Sequence, residues 1–425
     1  MKNRMKRARS ICAVIGCLAL SCLFGCANNE KSLDDNQAKD QMLTPDSIKD
    51  VPVDDDNLPH MEDVDSADSM ELYQTISLEE DFSVKSETTV VIYEIPRAQR
   101  EVPEDMSYGM TDAIVTDQGV YYVIEYMRDM AQFASGYDVG YWNPDTKEHI
   151  LLYSCGIGTE RKNVNWINEF SGNEHYLVWM EQCLSETDSC WEMRCMDLNT
   201  HTVETIHSIA WDKGFELCPS VNEKYVAWYE PVEDTDEMGI FLYSFSDKKT
   251  RRIAQDLEVI LEHPYSRVYM TEDTCTYAAK NLGVRQIVEE NLETVERKAY
   301  FVPDQSMSIL MPASNEKVIL WREEYDTDWG IYIYHKEKEQ LYYFPEPEGG
   351  TIFSDYLADN TLYIHVQEAN MGSRILTVNL ESLDIQVLIE AEKDKDFLLI
   401  TNSGKYCSVY TYMDINKNNY VYVWE

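Results

Sequence analysis

Basic residues are scarce in this sequence. Its 425 residues include 36 Lys and Arg against 77 Asp and Glu, which gives a formal net charge of −41. Non-specific nucleic-acid binding needs clustered Lys and Arg, so the composition excludes it. The same imbalance argues against direct docking on anionic lipid headgroups, and it favours cations and basic partners.

Motifs of catalysis and metal binding are missing as well. The sequence contains no G-x-S-x-G nucleophile elbow and no S-x-D-x-G-x-T-W box of the sialidase type. The eight His are scattered, and no CxxC pair occurs, so neither a nucleophile–base pair nor a structural zinc site is indicated. Seven Cys follow residue 26, an odd number spread over a long chain, which excludes a small disulfide-stapled fold.

The first 25 residues form a targeting segment. Five basic residues between Lys2 and Arg9 precede an apolar run from Ile11 to Phe24, which is too short to span a bilayer comfortably. The run ends in "LFGC", Leu23 to Cys26, and this ending resembles the lipobox of bacterial lipoproteins. The resemblance implies cleavage before Cys26, lipidation of its sulfur, and anchoring on the extracytoplasmic side of the cell membrane.

Residues 26–81 are predicted to be a disordered acidic tether that starts at the lipidated Cys26. Between Ala27 and Asp81 the sequence has 17 Asp and Glu, 3 Lys and no Arg, with almost no apolar periodicity. Such a segment cannot bury enough apolar surface to offset the entropy lost on ordering. Like charges extend it away from the lipid.

Residues 82–425 are predicted to fold into one all-β domain. Runs of four to eight residues rich in Val, Ile and Tyr alternate with turn residues, and no long helical period occurs. One phrase recurs as "NEHYLVWME" (173–181), "NEKYVAWYE" (222–230) and "NEKVILWRE" (315–323), which we call the repeat motif. Degenerate copies follow the same turn signals every 42 to 54 residues, and a unit of this length is typical of a four-stranded propeller blade.

Counting the copies predicts a seven-bladed β-propeller of four-stranded antiparallel blades, with six or eight blades as alternatives. The last blade lacks an outer strand, whereas a surplus strand, "TTVVIYEIP" from Thr88 to Pro96, precedes the first copy. The surplus strand can close the ring and remove an exposed edge. The unit between Arg267 and Pro303 fits a strand pattern poorly.

From about Ser86 to Glu425 the repeats resemble TolB-like propellers, a group that includes the propeller domain of dipeptidyl-peptidase-type proteins. The shared pattern is a turn, then "K-Y-V-A-W" as at Lys224 to Trp228, then a polar loop and "G-I-F-L-Y" as at Gly239 to Tyr243. The resemblance implies the fold and no particular activity. The recurring Trp179, Trp228 and Trp321 are predicted to pack between blades.

The loops after the repeat motif are rich in carboxylates. Because such loops emerge on one face of a propeller, they predict an acidic face that focuses negative potential at the channel mouth. The predicted face consists of Glu186, Asp188, Asp234, Asp236, Glu323, Asp326 and Asp328. The last loop, with Asp414, Asn416 and Asn418, matches part of a calcium-loop pattern but lacks its central glycine. We therefore expect no cofactor. The alternative is a Ca²⁺ ion bound by this last loop.

The sequence as a whole predicts a membrane-anchored, non-enzymatic binding or assembly module. Its acidic face would meet a basic protein or peptide, or an envelope polymer. The alternative is a hydrolase or lyase of envelope polysaccharide, because catalytic carboxylates from different blades can converge in a propeller channel.

Overall fold

In the computed structural model every regular element of the described residues is a β-strand. The structure describes residues 73–76, 84–95, 102, 104, 106–127, 136–155, 164–184, 190–210, 217–233, 235, 237–263, 266–302, 308–325, 328–347, 349–368, 372–391, 397, 400–411 and 419–424. No helix in these ranges is long and apolar enough to cross a membrane. Residues 1–72, which include the predicted signal peptide, Cys26 and most of the predicted tether, lie outside them.

Two strands, β1 (Gln74–Thr75) and β2 (Val91–Ile95), come before the first complete sheet. Sheet 1 contains β3 (Ser107–Thr116), β4 (Gly119–Met127), β5 (Gly136–Trp142) and β6 (His149–Cys155). Sheet 2 contains β7 (Val164–Gly172), β8 (Tyr176–Leu184), β9 (Cys190–Asp197) and β10 (Thr202–Ala210). Sheet 3 contains β11 (Ser220–Val221), β12 (Tyr225–Pro231), β13 (Met238–Ser244) and β14 (Lys249–Ile253). The short β15 (Glu258–Val259) pairs with strands of both sheet 3 and sheet 4 and bridges them.

The remaining strands follow the same order. Sheet 4 contains β16 (Tyr269–Met270), β17 (Thr274–Asn281), β18 (Val284–Asn291) and β19 (Arg297–Phe301). Sheet 5 contains β20 (Leu310–Ser314), β21 (Val318–Tyr325), β22 (Asp328–His335) and β23 (Gln340–Pro345). Sheet 6 contains β24 (Gly350–Leu357), β25 (Thr361–Glu368), β26 (Gly372–Asn379) and β27 (Ile385–Glu390). Sheet 7 contains β28 (Thr401–Asn402), β29 (Cys407–Tyr410) and β30 (Asn419–Trp424), and its fourth strand is β2.

The ring closes through the N-terminal strand β2. It pairs antiparallel with β30, so that Val91 lies opposite Val423 and Ile95 lies opposite Asn419. The surplus strand predicted between Thr88 and Pro96 is therefore confirmed as the outer strand of the last sheet. The all-β propeller built from four-stranded antiparallel sheets is confirmed with it.

The core consists of apolar layers between consecutive sheets. Of the seven hydrophobic clusters in the described ranges, six join residues of two sheets that follow one another, from sheets 1 and 2 to sheets 6 and 7. The remaining cluster joins Tyr410 and Val421 of sheet 7 to Met110 and Tyr122 of sheet 1. No sheet buries both of its faces alone, which is why the repeat motif must recur along the chain.

The asparagine of the repeat motif ties each sheet to the next. Asn222 Oδ1 accepts hydrogen bonds from the backbone N–H groups of Lys224 and Tyr225, at 2.9 and 2.8 Å, which shapes the turn before β12. Its Nδ2 donates to the carbonyl of Thr271 in the following unit, at 2.8 Å. Asn173 and Asn315 make the equivalent bonds.

The tryptophans of the repeat motif are packing residues, as predicted. Trp179 and Trp228 have no exposed surface and Trp321 is 3% exposed. Each lies in a cluster between two sheets. Burying such a side chain contributes about 1.5–3 kcal/mol, so the rings hold neighbouring sheets together.

The unit between Arg267 and Pro303 forms regular strands, contrary to its poor strand pattern. Glu289 accepts from Tyr300 and pairs with Lys336 of sheet 5, while Glu290 accepts from Tyr277 and Arg297. These partners compensate the charges of Glu289 and Glu290, which interrupt the alternation of apolar and polar residues in the sequence of this unit.

The residues before sheet 1 follow the outer edges of three consecutive sheets. β1 runs parallel to β23 of sheet 5, and Lys85 forms a parallel bridge with Val387 of sheet 6. β2 then completes sheet 7. β1 lies within the segment 26–81 that the sequence predicts as tether.

Candidate functional site

The innermost strands of four sheets carry an irregularity near their middle. The pairing register shifts between Met110 and Asp112 in β3 and between Asn168 and Ser171 in β7. β20 and β24 show the same kind of shift. Such bulges bend a strand and redirect side chains, and they are frequent beside functional sites.

Glu169 sits in the bulge of β7 with φ 54°. A left-handed backbone at a residue other than glycine costs about 1 kcal/mol or more and persists only where its surroundings enforce it. Here Glu169 forms an ion pair with Arg267, which precedes the innermost strand of sheet 4. Sheets 2 and 4 are not consecutive, so their side chains can meet only around the central channel.

Five polar side chains converge at this place, and we call them the channel cluster: Asp112, Glu125, Glu169, Arg267 and Tyr410. Tyr410 of sheet 7 donates from its hydroxyl to Asp112 Oδ1 of sheet 1, at 2.9 Å. Together with the Glu169–Arg267 pair, this bond brings side chains of sheets 1, 2, 4 and 7 to one level of the channel.

Burial dominates the electrostatics of the cluster. It raises the pKa of Asp112 well above its ordinary value; the hydrogen bond from Tyr410 opposes this rise, and the charges of Glu169 and Glu125 add to it. Burial and the neighbouring Asp112 also raise the pKa of Tyr410. Desolvation disfavours the charge of Arg267, but Glu169 and Asp112 hold its pKa above its ordinary value. The single guanidinium is therefore charged, and Asp112 favours its protonated form.

Glu125 differs from the glutamates that end the repeat motif in sheets 2 and 3. Glu181 of sheet 2 accepts from Arg194 Nε at 2.9 Å, and Glu230 of sheet 3 pairs with His207 at 2.8 Å. Within the described part of the chain no cationic side chain pairs with Glu125. Burial raises its pKa to about 7, although a backbone hydrogen bond from Ile167 opposes the rise.

Glu125 lies near the face on which the acidic loops emerge. It is two residues before the end of β4, where the chain leaves sheet 1 toward β5. The equivalent connections of sheets 2, 3 and 5 are the predicted acidic loops. The channel cluster therefore extends from mid-strand toward that face.

Most residues of the predicted acidic face fall outside the described ranges. These are Glu186, Asp188, Asp234, Asp236 and Asp326, together with the predicted calcium ligands Asp414, Asn416 and Asn418. The backbones of Glu323 in β21 and Asp328 in β22 are placed, and Tyr325 lies opposite Asp328 across the hairpin. Among the described residues no group of three or more His, Cys, Asp or Glu is arranged to hold a metal ion.

One residue of the channel cluster lies in a sequence motif. Glu125 lies in a degenerate copy of the repeat motif, "GVYYVIEYM" (119–127), two residues before its end. No such motif marks the other four residues of the cluster, because they come together only when the ring closes: Asp112, Glu169, Arg267 and Tyr410.

The chain is similar to solved structures, but it matches no protein-family model and no curated protein sequence. Its fold is similar to the β-propeller domain of the Trilobed protease from Pyrococcus furiosus, with a TM-score of 0.50, 10% identity, and coverage of 75% of this chain and 96% of that one.

Two further solved structures are similar with lower scores. TolB from Acinetobacter baumannii gives a TM-score of 0.39 at 10% identity, covering 76% of this chain and 80% of that one. An uncharacterized protein from Listeria monocytogenes gives 0.46 at 9% identity, covering 75% and 94%. At 10% identity the likeness to the Trilobed protease domain establishes the fold alone. By that likeness and by its own sheets, the chain is a β-propeller protein.

Proposed function

We propose that this protein is a membrane-anchored binding module outside the cytoplasm, and that it holds a basic segment of a partner at the mouth of its channel. The observation that carries this proposal is the charge balance of the channel cluster. Three carboxyl groups face one guanidinium, and that guanidinium is paired with Glu169. Asp112 and Glu125 thus remain for an incoming cation.

Desolvated carboxyl groups favour a cationic ligand over water. An ammonium or guanidinium group within about 4–6 Å stabilises the ionised carboxylate and lowers its pKa, so that cation binding is coupled to proton release. The predicted acidic loops would add long-range attraction for a basic partner at the same face. The lipobox at Leu23 to Cys26 supports anchoring through lipid.

The binding proposal is tested by calorimetry with tetralysine amide on the full-length protein. Asp112→Asn/Glu125→Gln should weaken binding at least about tenfold, which corresponds to about 1.4 kcal/mol. The matched control Glu148→Gln/Glu316→Gln removes two exposed carboxylates elsewhere and should change the affinity less than about twofold. Equal losses in both variants would reduce the binding to general charge attraction and contradict the proposal.

Two further variants separate the face from the anchor. Asp234→Asn/Asp236→Asn/Asp326→Asn/Asp328→Asn should slow association, because charged loops act mainly on the on-rate. Cys26→Ser should move the protein from the membrane fraction to the soluble fraction. A Cys26→Ser protein that stays in the membrane fraction would contradict the lipid anchor without bearing on the channel.

A second candidate, an envelope polysaccharide hydrolase or lyase, is favoured by one observation. Burial keeps Asp112 toward its protonated form beside Glu169, a carboxylate paired with Arg267. One carboxyl poised as an acid near a second carboxylate is the pairing that glycoside hydrolysis uses. Release of reducing ends from envelope polysaccharide, abolished in Asp112→Asn, would favour this candidate over binding alone.

A further inference from the structure

β1 is an addition that the ring does not need. Sheet 5 already has four antiparallel strands, and β1 joins its outer edge as a fifth strand in parallel orientation. Among the described residues of this segment, Gln74 and Thr75 pair opposite Tyr342 and Tyr343. β2, in contrast, supplies the missing strand of sheet 7. The two pieces of the N-terminal segment therefore have different structural roles.

The residues around β1 contact sheet 5 in the way a bound peptide does. The N–H of Ile76 donates to the carbonyl of Tyr343 at 2.8 Å, which continues the main-chain pairing. The ring of Tyr73 lies 5.5 Å from that of Tyr332 and 5.2 Å from that of Tyr343, centroid to centroid. Ile76 is only 7% exposed.

The two anchoring side chains enter different crevices. Tyr73 packs on the cluster between sheets 4 and 5, whereas Ile76 belongs to the cluster between sheets 5 and 6. The intervening Gln74 and Thr75 are exposed. Main-chain bonds to a sheet edge, with pockets for a subset of side chains, describe peptide recognition by strand addition.

We propose that the outer edge of sheet 5 is a peptide-docking groove and that residues 73–76 are its resident occupant. A partner protein would displace them with an extended segment carrying an aromatic residue and, three positions later, an aliphatic one. The resident segment defines this chemistry because it shows which side chains the two crevices accept. As a fifth strand that the ring does not need, it can be displaced, and the edge of β23 offers unpaired backbone groups once it leaves.

The groove is tested with a fluorescent peptide of residues 71–78, ELYQTISL, added to the full-length protein. A tethered occupant competes at an effective concentration of about 1 mM, so the wild-type protein should bind the peptide weakly. Tyr73→Ala/Ile76→Ala removes both anchors of the occupant and should bind the peptide at least about tenfold more tightly. Gln74→Ala/Thr75→Ala, which changes only exposed side chains, should behave like the wild type.

Several outcomes would overturn the proposal. The first is equal peptide affinity for the wild type, Tyr73→Ala/Ile76→Ala and Gln74→Ala/Thr75→Ala. The second is no peptide binding by Tyr73→Ala/Ile76→Ala although this variant is folded. The third is that a peptide with alanine in place of Tyr73 and Ile76 binds that variant as tightly as the original peptide. If the anchor variant does not fold, hydrogen exchange at residues 73–76 of the wild type decides. Peptide at several millimolar should then accelerate exchange there, and unchanged exchange would overturn the groove. Dimerisation of the wild type that the anchor variant loses would assign the groove to a second copy instead of a partner.

Discussion

Replacing Glu125 by Gln should stabilise the protein at alkaline pH and leave it almost unchanged in acid. The side chain keeps its shape and can still accept the backbone hydrogen bond from Ile167, but it no longer has to carry a charge in the desolvated channel. Burial raises the pKa of Glu125 from 4.5 to about 7. At about 1.4 kcal/mol per tenfold change in proton affinity, ionising this group in the folded protein costs about 3 kcal/mol.

The sign of the pH dependence follows from the direction of the pKa change. The unfolded chain loses the proton near pH 4.5, whereas the folded protein holds it to about pH 7. The stabilising contribution of the proton is therefore complete below pH 4.5 and is lost as the pH rises to 7. Above pH 7 the penalty of about 3 kcal/mol is constant.

Urea unfolding of both proteins at pH 5 and pH 8.5 measures this effect. The difference in unfolding free energy between Glu125→Gln and the wild type should grow by about 2 to 3 kcal/mol between the two values. Asp112, whose pKa burial also raises, is present in both proteins and cancels in the comparison to first order. Glu181→Gln, in the neighbouring sheet, loses the pair with Arg194 and should be destabilised instead. Parallel pH profiles for Glu125→Gln and the wild type would refute the reasoning.

Two other substitutions test the channel and the repeat motif. Arg267→Met leaves Glu169 without its partner and should lower the unfolding free energy by about 2 kcal/mol, which is less than for a fully buried pair because Arg267 retains solvent contact. Adding Glu169→Gln should restore most of the lost unfolding free energy in urea unfolding. A double variant as unstable as Arg267→Met would contradict the pairing argument. Asn222→Ala loses the hydrogen bonds that shape the turn before β12 and connect it to sheet 4, and it should lower the unfolding free energy by about 2 kcal/mol in the same assay. Glu223→Ala, at the exposed neighbouring position, should be nearly neutral. Equal effects of the two substitutions would contradict the role of Asn222 in connecting the sheets.

Local pattern was sufficient to predict the sheets. The repeat motif places an Asn turn before the second strand and a buried Trp within it, and each step depends on residues close in sequence. The closing strand was predictable for a different reason, since a missing strand at one end and a surplus strand at the other complement each other. Between Glu289 and Lys298 the pattern failed, because charged side chains there find partners on neighbouring strands and sheets that the sequence does not reveal.

The candidate site was not predictable in the same way. Asp112 and Tyr410 are bonded only because the ring brings sheets 1 and 7 together, and Arg267 reaches Glu169 only across the channel. No spacing along the chain encodes these meetings. The raised pKa of Glu125 likewise depends on the absence of a nearby cation, which its copy of the repeat motif gives no means of foreseeing.

The closing strand has a consequence for how the chain reaches its native state. Val91 is synthesised long before Val423, its partner across the last pair of strands. Folding rates fall as contacts join residues more distant in sequence, and an unpaired strand edge is prone to aggregation in the meantime. Ring closure should therefore be the slowest step of folding. The segment that contains β2, which has several exposed apolar residues, must remain unpaired until β30 has been synthesised. A chaperone that shields residues 88–96 until the ring closes would increase the yield of folded protein more than one acting on any later strand.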